Sequence, residues 1–188
     1  MRTIKAMMTG MAAMLLAAGT AMAGGGSEIV VDGSTTVGPI AKAFAENYMA
    51  KHPEVNITVS ESGSGNGAKS LINAACDVAT MSRPMKGSEK KAAQDAGILP
   101  IEHVVAMDGI AVVVNNRNPV AGLTIEQIRE IYTGKIRRWS ELGGPDEPIV
   151  AISRETNSGT YECFETLVLA GQKMDAKVEY VGSNGAVR

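Results

Sequence analysis

The sequence is poor in the residues that bind metals or form disulfide frameworks. Its 188 residues include two cysteines, Cys76 and Cys163, and two histidines, His52 and His103. Cysteines this far apart supply neither the paired Cys-x-x-Cys of a zinc site nor a disulfide framework, although a single bridge between them stays open. We therefore expect no metal centre.

Beyond its first 23 residues the sequence also lacks an apolar run of the roughly 18 residues that a membrane-spanning helix needs. Residues 1–23 combine a basic start, a short alanine-rich apolar stretch and the small-x-small sequence Ala21-Met22-Ala23. These features are typical of a secretory signal peptide, and a retained N-terminal anchor is the alternative. We expect an exported protein, and the bacterial character of the signal favours a periplasm.

An excess of positive charge is the third feature that the sequence lacks. Without residues 1–23 it has 16 basic and 20 acidic residues. A mildly acidic protein has no general affinity for nucleic acid or anionic lipid, so we expect no nucleic-acid partner. Any anion that it binds must be held by local groups.

What the sequence does contain is a repeated alternation of short apolar segments and helix-like segments. Strands are predicted at 27–33, 54–62, 76–82, around 149–154 and from 178, with one or two further buried strands within 99–116 on either side of Asp108-Gly109. Helices are predicted between them at 34–53, 63–75, 86–98, 124–134 and 160–171. Such alternation predicts an α/β protein with mostly parallel strands.

Three of the strand-to-helix junctions are rich in hydroxyl groups and glycine. The first contains Ser34, Thr35 and Thr36, the second contains Ser62 and Ser64, and the third contains Arg154, Ser158, Gly159 and Thr160. Each places hydroxyls and unpaired backbone N–H groups at a helix N-terminus, where the helix dipole also favours an anion. Ordinary N-capping explains any one of them. Three together, one with an arginine, indicate a shared anion site.

The glycine-rich junction also fits two nucleotide-binding motifs loosely, and the serines raise the possibility of an enzyme. Gly63, Gly65 and Ala68 match G-x-G-x-x-G/A, but the acidic residue expected about 20 positions later is lacking. A P-loop needs a lysine directly after its second glycine, where Ala68 stands here. Neither Ser64 nor Ser158 lies in G-x-S-x-G, and no nucleophile–base pair is evident. We expect a binding protein and not an enzyme.

Five segments together resemble the periplasmic phosphate-binding proteins of bacterial ABC phosphate importers: VDGSTTVGPIAKAF, SGSGNGAKSLI, DVATMSRPMK, DGIAVVVN and ISRETNSGTYECF. The resemblance runs from Glu28 to Arg188. It implies a type II periplasmic binding protein-like fold, with two α/β lobes whose mixed sheets are flanked by helices. The first lobe would comprise residues 24–110 and the second 111–188. Because family members are longer, the resemblance also implies that a C-terminal part, which completes the first lobe, is missing from this sequence.

The resemblance further implies which residues bind phosphate. The first-lobe ligands would be Thr35, Thr36 and Ser64, and the second-lobe ligands would be Arg154, Ser158, Gly159 and Thr160. Some family members have an aspartate after the third strand that accepts the proton of phosphate.

At that aspartate position this sequence has Arg83. We expect Asp108 to accept the proton instead, with Glu61 as the alternative acceptor, and a purely turn-forming role for Asp108 stays open. A further alternative is that the departure loosens the discrimination against sulfate. Arg83 would either bind the anion or pair with Asp108.

By the same resemblance, the protein would capture inorganic phosphate as a monomer and deliver it to the membrane permease of an ABC phosphate importer, with no cofactor and no catalysis. One alternative keeps the fold but changes the ligand to another oxyanion, such as sulfate or molybdate, or the role to that of a phosphate sensor or adhesin. A less favoured alternative is an exported serine hydrolase or phosphatase.

Overall fold

The computed structural model describes residues 27–187, in which strands and helices alternate. In chain order the elements are β1 (Ser27–Gly33), α1 (Gly38–Lys51), β2 (Val55–Ser60), α2 (Ser64–Ile72), β3 (Val78–Thr80), α3 (Gly87–Asp95), α4 (Ile125–Tyr132), β4 (Ile152–Arg154), α5 (Gly159–Phe164) and β5 (Glu179–Val181). Short 3-10 turns lie at Trp139–Leu142 and Gly185–Val187, and a π-type turn at Glu165–Leu169 extends α5.

The first three strands form one parallel sheet in the order β2-β1-β3. In the register of this sheet Val31 lies beside Val59 and Gly33 lies beside Thr80. The carboxyl ends of the three strands therefore meet at one edge. This is the edge at which ligands bind in open α/β sheets, and the first two hydroxyl-rich junctions begin there.

The remaining strands, β4 and β5, form a separate parallel pair in which Arg154 lies beside Val181. Helices α4 and α5 pack on this pair. The ring of Tyr132 contacts the ring of Phe164 with centroids 4.7 Å apart, and the Tyr132 hydroxyl donates to the Ile152 carbonyl at 2.9 Å. Burial raises the pKa of Tyr132. These contacts fix the third junction, which follows β4.

The predicted helix ends agree with the capping residues in the sequence. Thr124 caps α4, since its hydroxyl accepts the Gln127 N–H at 3.2 Å while the Gln127 side chain accepts the Thr124 N–H at 2.8 Å. Gly134, just beyond this helix, has a φ of +77°, which glycine adopts without strain. Helix α1 has a proline in its first turn and ends at Lys51, two residues before Pro53.

The prediction of buried strands within residues 99–116 is wrong. This segment contains no strand in the structure, and its apolar side chains, from Leu99 to Val114, are exposed, with Met107 at 91 %. The pattern of valine and isoleucine was sufficient for a strand prediction. A strand also needs a neighbour for its N–H and C=O groups, and none of the described strands pairs with this segment.

Three further sequence features have simple outcomes. The predicted signal peptide, residues 1–23, lies outside the described residues. Cys76 and Cys163 are both free thiols, so the bridge that the sequence left open is absent from the structure. Within 27–187 we find no helix with the length and apolar character required to cross a membrane.

Candidate anion-binding site

The first junction is a tight turn between β1 and α1. The buried Ser34 ties the turn to β3, because its N–H donates to the Thr80 carbonyl at 2.8 Å. Its hydroxyl accepts the Thr36 N–H at 3.1 Å. The Thr35 hydroxyl oxygen is buried and has no hydrogen-bond partner among the described residues. A buried hydroxyl without a partner is costly, so Thr35 is suited to bind a ligand.

The second junction brings the start of α2 against the end of β1. Gly63 has a φ of +100°, and its N–H donates to the Gly33 carbonyl at 2.7 Å. A Cβ at Gly67 would lie 2.7 Å from the Gly33 Cα, so a larger residue there would push α2 away from the sheet. The buried Ser64 hydroxyl lies 3.2 Å from the Ser82 hydroxyl and accepts the Ser82 N–H at 3.2 Å.

The third junction lies directly against the second. Ser158 is buried and caps α5, accepting the Thr160 N–H at 3.2 Å. A Cβ at Gly159 would lie 2.4 Å from the Ser82 hydroxyl oxygen and 2.8 Å from that of Ser64. Glycine at position 159 therefore allows the N-terminus of α5 to approach the N-terminus of α2.

Further backbone and side-chain contacts join the three junctions to one another. The Gly65 N–H donates to the Asn157 carbonyl at 2.9 Å, and the Asn157 side chain donates to the Ser62 carbonyl at 3.3 Å. The hydroxyl oxygens of Thr36 and Thr160 lie 3.5 Å apart. All three junctions predicted from the sequence thus meet in one place.

Arg154, at the end of β4, is 4 % exposed and has only neutral partners. Its Nε donates to the Val181 carbonyl at 3.2 Å, its Nη2 donates to the Gly182 carbonyl at 2.9 Å, and its Nη1 donates to the Asn184 side-chain oxygen. No carboxylate of residues 27–187 forms an ion pair with it. Burial lowers the pKa of Arg154 by more than the nearby Glu155 carboxylate raises it, although a guanidinium remains charged at neutral pH.

Asn184 connects Arg154 to the threonines of the site. Its side-chain amide donates to the Thr36 hydroxyl at 2.9 Å while its oxygen accepts from Arg154. The contacts thus run from Arg154 through Asn184 and Thr36 to Thr160. Sequence reasoning missed Asn184, although it lies in the glycine turn after β5, which resembles the other junctions. It also missed Ser82 and Asn157, although Ser82 lies in the segment DVATMSRPMK and Asn157 lies in the segment ISRETNSGTYECF.

Arg83 has different partners from Arg154. Its side chain is 6 % exposed, and its two terminal nitrogens each donate to a Glu89 oxygen at 2.8 Å. Its Nε lies 2.6 Å from Glu162 Oε2, as an ion pair whose N–H is poorly aligned with that oxygen. The expected alternative in which Arg83 pairs with Asp108 is wrong, because Glu89 and Glu162 take that place. Its hydrogen bond to Glu89 is the main cause of a raised Arg83 pKa.

The two candidate proton acceptors lie less centrally. Asp108 is exposed, and one of its oxygens accepts the Gly109 N–H at 2.8 Å, as in a turn. It also lines a cavity of about 600 Å³ that Ser82 and Thr160 line as well. Glu61 pairs with Lys42 at 2.5 Å. The role of Asp108 as proton acceptor stays a prediction.

The site offers hydroxyls, backbone N–H groups, an amide and one guanidinium, which together suit an oxyanion. Between residues 27 and 187 no group of three or more His, Cys, Asp or Glu side chains is arranged to hold a metal ion.

A profile of the PBP superfamily domain matches residues 18–187. The chain belongs to the PBP superfamily. A phosphate-binding protein PstS from Staphylococcus saprophyticus is 38 % identical over 158 residues, which are 82 % of this chain and 49 % of that protein. The chain therefore spans about half the length of the curated relatives it matches.

Solved structures confirm the PBP-like fold. A phosphate ABC transporter substrate-binding protein with bound phosphate, from Clostridium perfringens, superposes with a TM-score of 0.76 at 39 % identity, covering 86 % of this chain and 64 % of that one. An ABC-type phosphate transport receptor from Vibrio cholerae gives a TM-score of 0.63 at 35 % identity, covering 85 % and 65 %. The family resemblance and the type II α/β fold predicted from the sequence are thereby confirmed for this PBP superfamily chain.

Proposed function

We propose that this chain is the phosphate-capturing part of an exported solute-binding protein that delivers inorganic phosphate to the membrane permease of an ABC importer. The observation that carries the proposal is the buried Arg154, which lacks a carboxylate partner in the described chain and is linked through Asn184 to the threonines at two helix N-termini. A buried cation with only neutral partners is costly, and a bound anion would offset that cost.

The proposed ligands come from both sheets of the molecule. The first lobe, residues 24–110, would supply hydroxyls and the N–H groups of α2, and the second lobe, residues 111–188, would supply the guanidinium and the N–H groups of α5. The proposed ligands are Thr35, Thr36, Ser64, Arg154, Ser158, Gly159 and Thr160. Many neutral donors around one cation can satisfy every oxygen of a phosphate dianion, which explains how a mildly acidic protein binds an anion.

Arg83 and Asp108 have a weaker claim as ligands. Three N–H groups of the Arg83 guanidinium donate to Glu89 and the Pro84 carbonyl, and its Nε is held in an ion pair with Glu162. Two of its five N–H groups are left without an acceptor, and the charge is already compensated by two carboxylates. Asp108 would have to turn from Gly109 toward the anion in order to accept its proton.

The serine hydrolase alternative receives no support from the site. The Ser64 hydroxyl is bonded to Ser82, and the Ser158 hydroxyl caps α5. Neither serine is hydrogen-bonded to a histidine in the described part of the chain, and His52 instead stacks on Tyr48. We therefore propose binding without catalysis. We also propose that the chain acts as a monomer in the periplasm.

The test is a calorimetric titration of the chain with inorganic phosphate, sulfate and molybdate. We expect one phosphate per chain and weaker binding of the other two anions. Tighter binding of sulfate or molybdate would instead identify the chain as a receptor for that oxyanion. Release of product from a phosphate ester, lost in Ser64→Ala, would favour the phosphatase.

A further inference from the structure

Four charged side chains form a cluster beside the candidate site and join the two lobes. This inter-lobe cluster consists of Arg83, Lys86 and Glu89 from the first lobe and Glu162 from the second. We infer that Glu162 is a positioning residue for anion binding, which holds the N-terminus of α5 against the first lobe through Arg83. The inference rests on the proposed function, in which both lobes contribute ligands.

Both ion pairs of the Glu162 side chain cross from one lobe to the other. Its Oε2 lies 2.6 Å from Arg83 Nε and 3.0 Å from Lys86 Nζ, and its side chain is 16 % exposed. Arg83 is itself held in place, because both oxygens of Glu89 accept from its terminal nitrogens. Glu162 therefore docks onto a guanidinium that the first lobe has already oriented.

The cluster lies where it can set the distance between the donor groups of the two lobes. Glu162 is in the first turn of α5, two residues after Thr160. Arg83 Cγ lies 3.3 Å from the position of a Cβ at Gly159, and its Nη2 lies 3.9 Å from that of a Cβ at Gly65. The Arg83 side chain thus lies between the N-termini of α2 and α5, and its pairing with Glu162 draws the two together.

A positioning role and a purely electrostatic role predict opposite effects. The cluster has two positive and two negative groups, so its formal charge is zero. Removing the Glu162 charge would leave a net positive cluster next to the anion, and Coulomb attraction alone would then tighten binding. If Glu162 positions α5, the same change weakens binding, because the donors of the two lobes no longer converge.

The experiment measures phosphate affinity and phosphate dissociation for Glu162→Gln, with Glu165→Gln as the matched control. Glu165 is on the following turn and contacts Tyr161 of its own lobe, so this variant makes the same charge change without touching the first lobe. We expect Glu162→Gln to weaken binding by about tenfold or more, mainly through faster dissociation, since loss of one partner of a buried charge pair acts on the dissociation rate. Glu165→Gln should stay within about twofold of the wild type.

Unchanged or tighter phosphate binding by Glu162→Gln would overturn the inference. A second measurement needs no ligand: in phosphate-free buffer, the backbone amides of residues 159–163 should exchange hydrogen faster in Glu162→Gln than in Glu165→Gln. Equal exchange in the two variants would also overturn it. If the wild type bound no phosphate but the exchange difference were present, the proposed function would fail while the contact between the lobes would stand.

Discussion

Two buried arginines lie at the ends of strands in this molecule, and they differ in what compensates their charge. Arg83 follows β3 and pairs with Glu89 and Glu162, whereas Arg154 ends β4 and bonds only to two carbonyls and the Asn184 amide. A cation compensated by carboxylates of its own chain is suited to hold structure together. A cation that lacks such compensation is suited to bind an anion from outside.

The largest expected effect is the loss of phosphate affinity in Arg154→Ala. We expect a loss of about 100-fold, because a hydrogen bond to a charged group contributes about 1.5–3 kcal/mol and the guanidinium is the one cation among the proposed ligands. Calorimetry measures the change, with Arg117→Ala as the control for loss of an exposed arginine. An Arg154→Ala chain that binds phosphate as the wild type does would place the site elsewhere.

The two arginines should also differ in how much they contribute to the stability of the fold. Arg83→Ala leaves Glu89 and Glu162 largely buried with only Lys86 nearby, and we expect the free energy of unfolding to fall by about 3 kcal/mol. In phosphate-free buffer Arg154→Ala should cost less than half as much, because a buried charge that forms no ion pair in the described chain is removed together with its hydrogen bonds. Urea unfolding of both variants measures the difference. Equal losses would contradict the distinction between the two arginines.

The smallest expected effect is a dependence of stability on pH through Glu89. Burial alone would raise the pKa of Glu89, but hydrogen bonds from Arg83 and from the Lys86 N–H outweigh it and hold this pKa below its usual value. A lowered pKa in the folded state means that the carboxylate stabilises the fold above the unfolded-state pKa of about 4.3. That contribution is lost as the pH falls through the folded-state pKa.

Urea unfolding of the wild type and of Glu89→Gln between pH 7 and pH 3 checks this dependence. We expect the wild type to be more stable by about 1–2 kcal/mol at pH 7, with the difference shrinking below about pH 4. A difference that stays constant to pH 3 would show that the Glu89 charge does not stabilise the fold.

Much of the fold and of the candidate site was predictable because it depends on local sequence. Strand β1, the cap at Thr124 and the three hydroxyl-rich junctions follow from alternation, capping preferences and turn residues that lie within a few positions of each other. Parallel pairing then brings junctions at the carboxyl ends of neighbouring strands together. This pairing accounts for Thr36 and Ser64, which follow the neighbouring strands β1 and β2. Thr160 follows β4 in the other sheet, and its convergence with them was expected from the shared chemistry of the three junctions.

The remaining features depend on contacts between distant parts of the chain. Residues 99–116 have the composition of buried strands, yet the described chain supplies no neighbouring strand for them. In the sequence Glu162 has the features of an ordinary first-turn carboxylate of a helix, and only the packing of α5 beside the segment after β3 reveals its pairing with Arg83. Asn184 reaches Thr36 only because β5 returns beside β4. No local pattern reports such contacts.

The most direct test of the contrast between the two arginines is a crystal structure of the chain grown with inorganic phosphate. We predict one phosphate in contact with the Arg154 guanidinium and with the hydroxyls of Thr36, Ser64 and Thr160, while Arg83 keeps its pairs with Glu89 and Glu162. A phosphate held by Arg83 in place of those carboxylates, with Arg154 still bonded only to its neutral neighbours, would contradict the account.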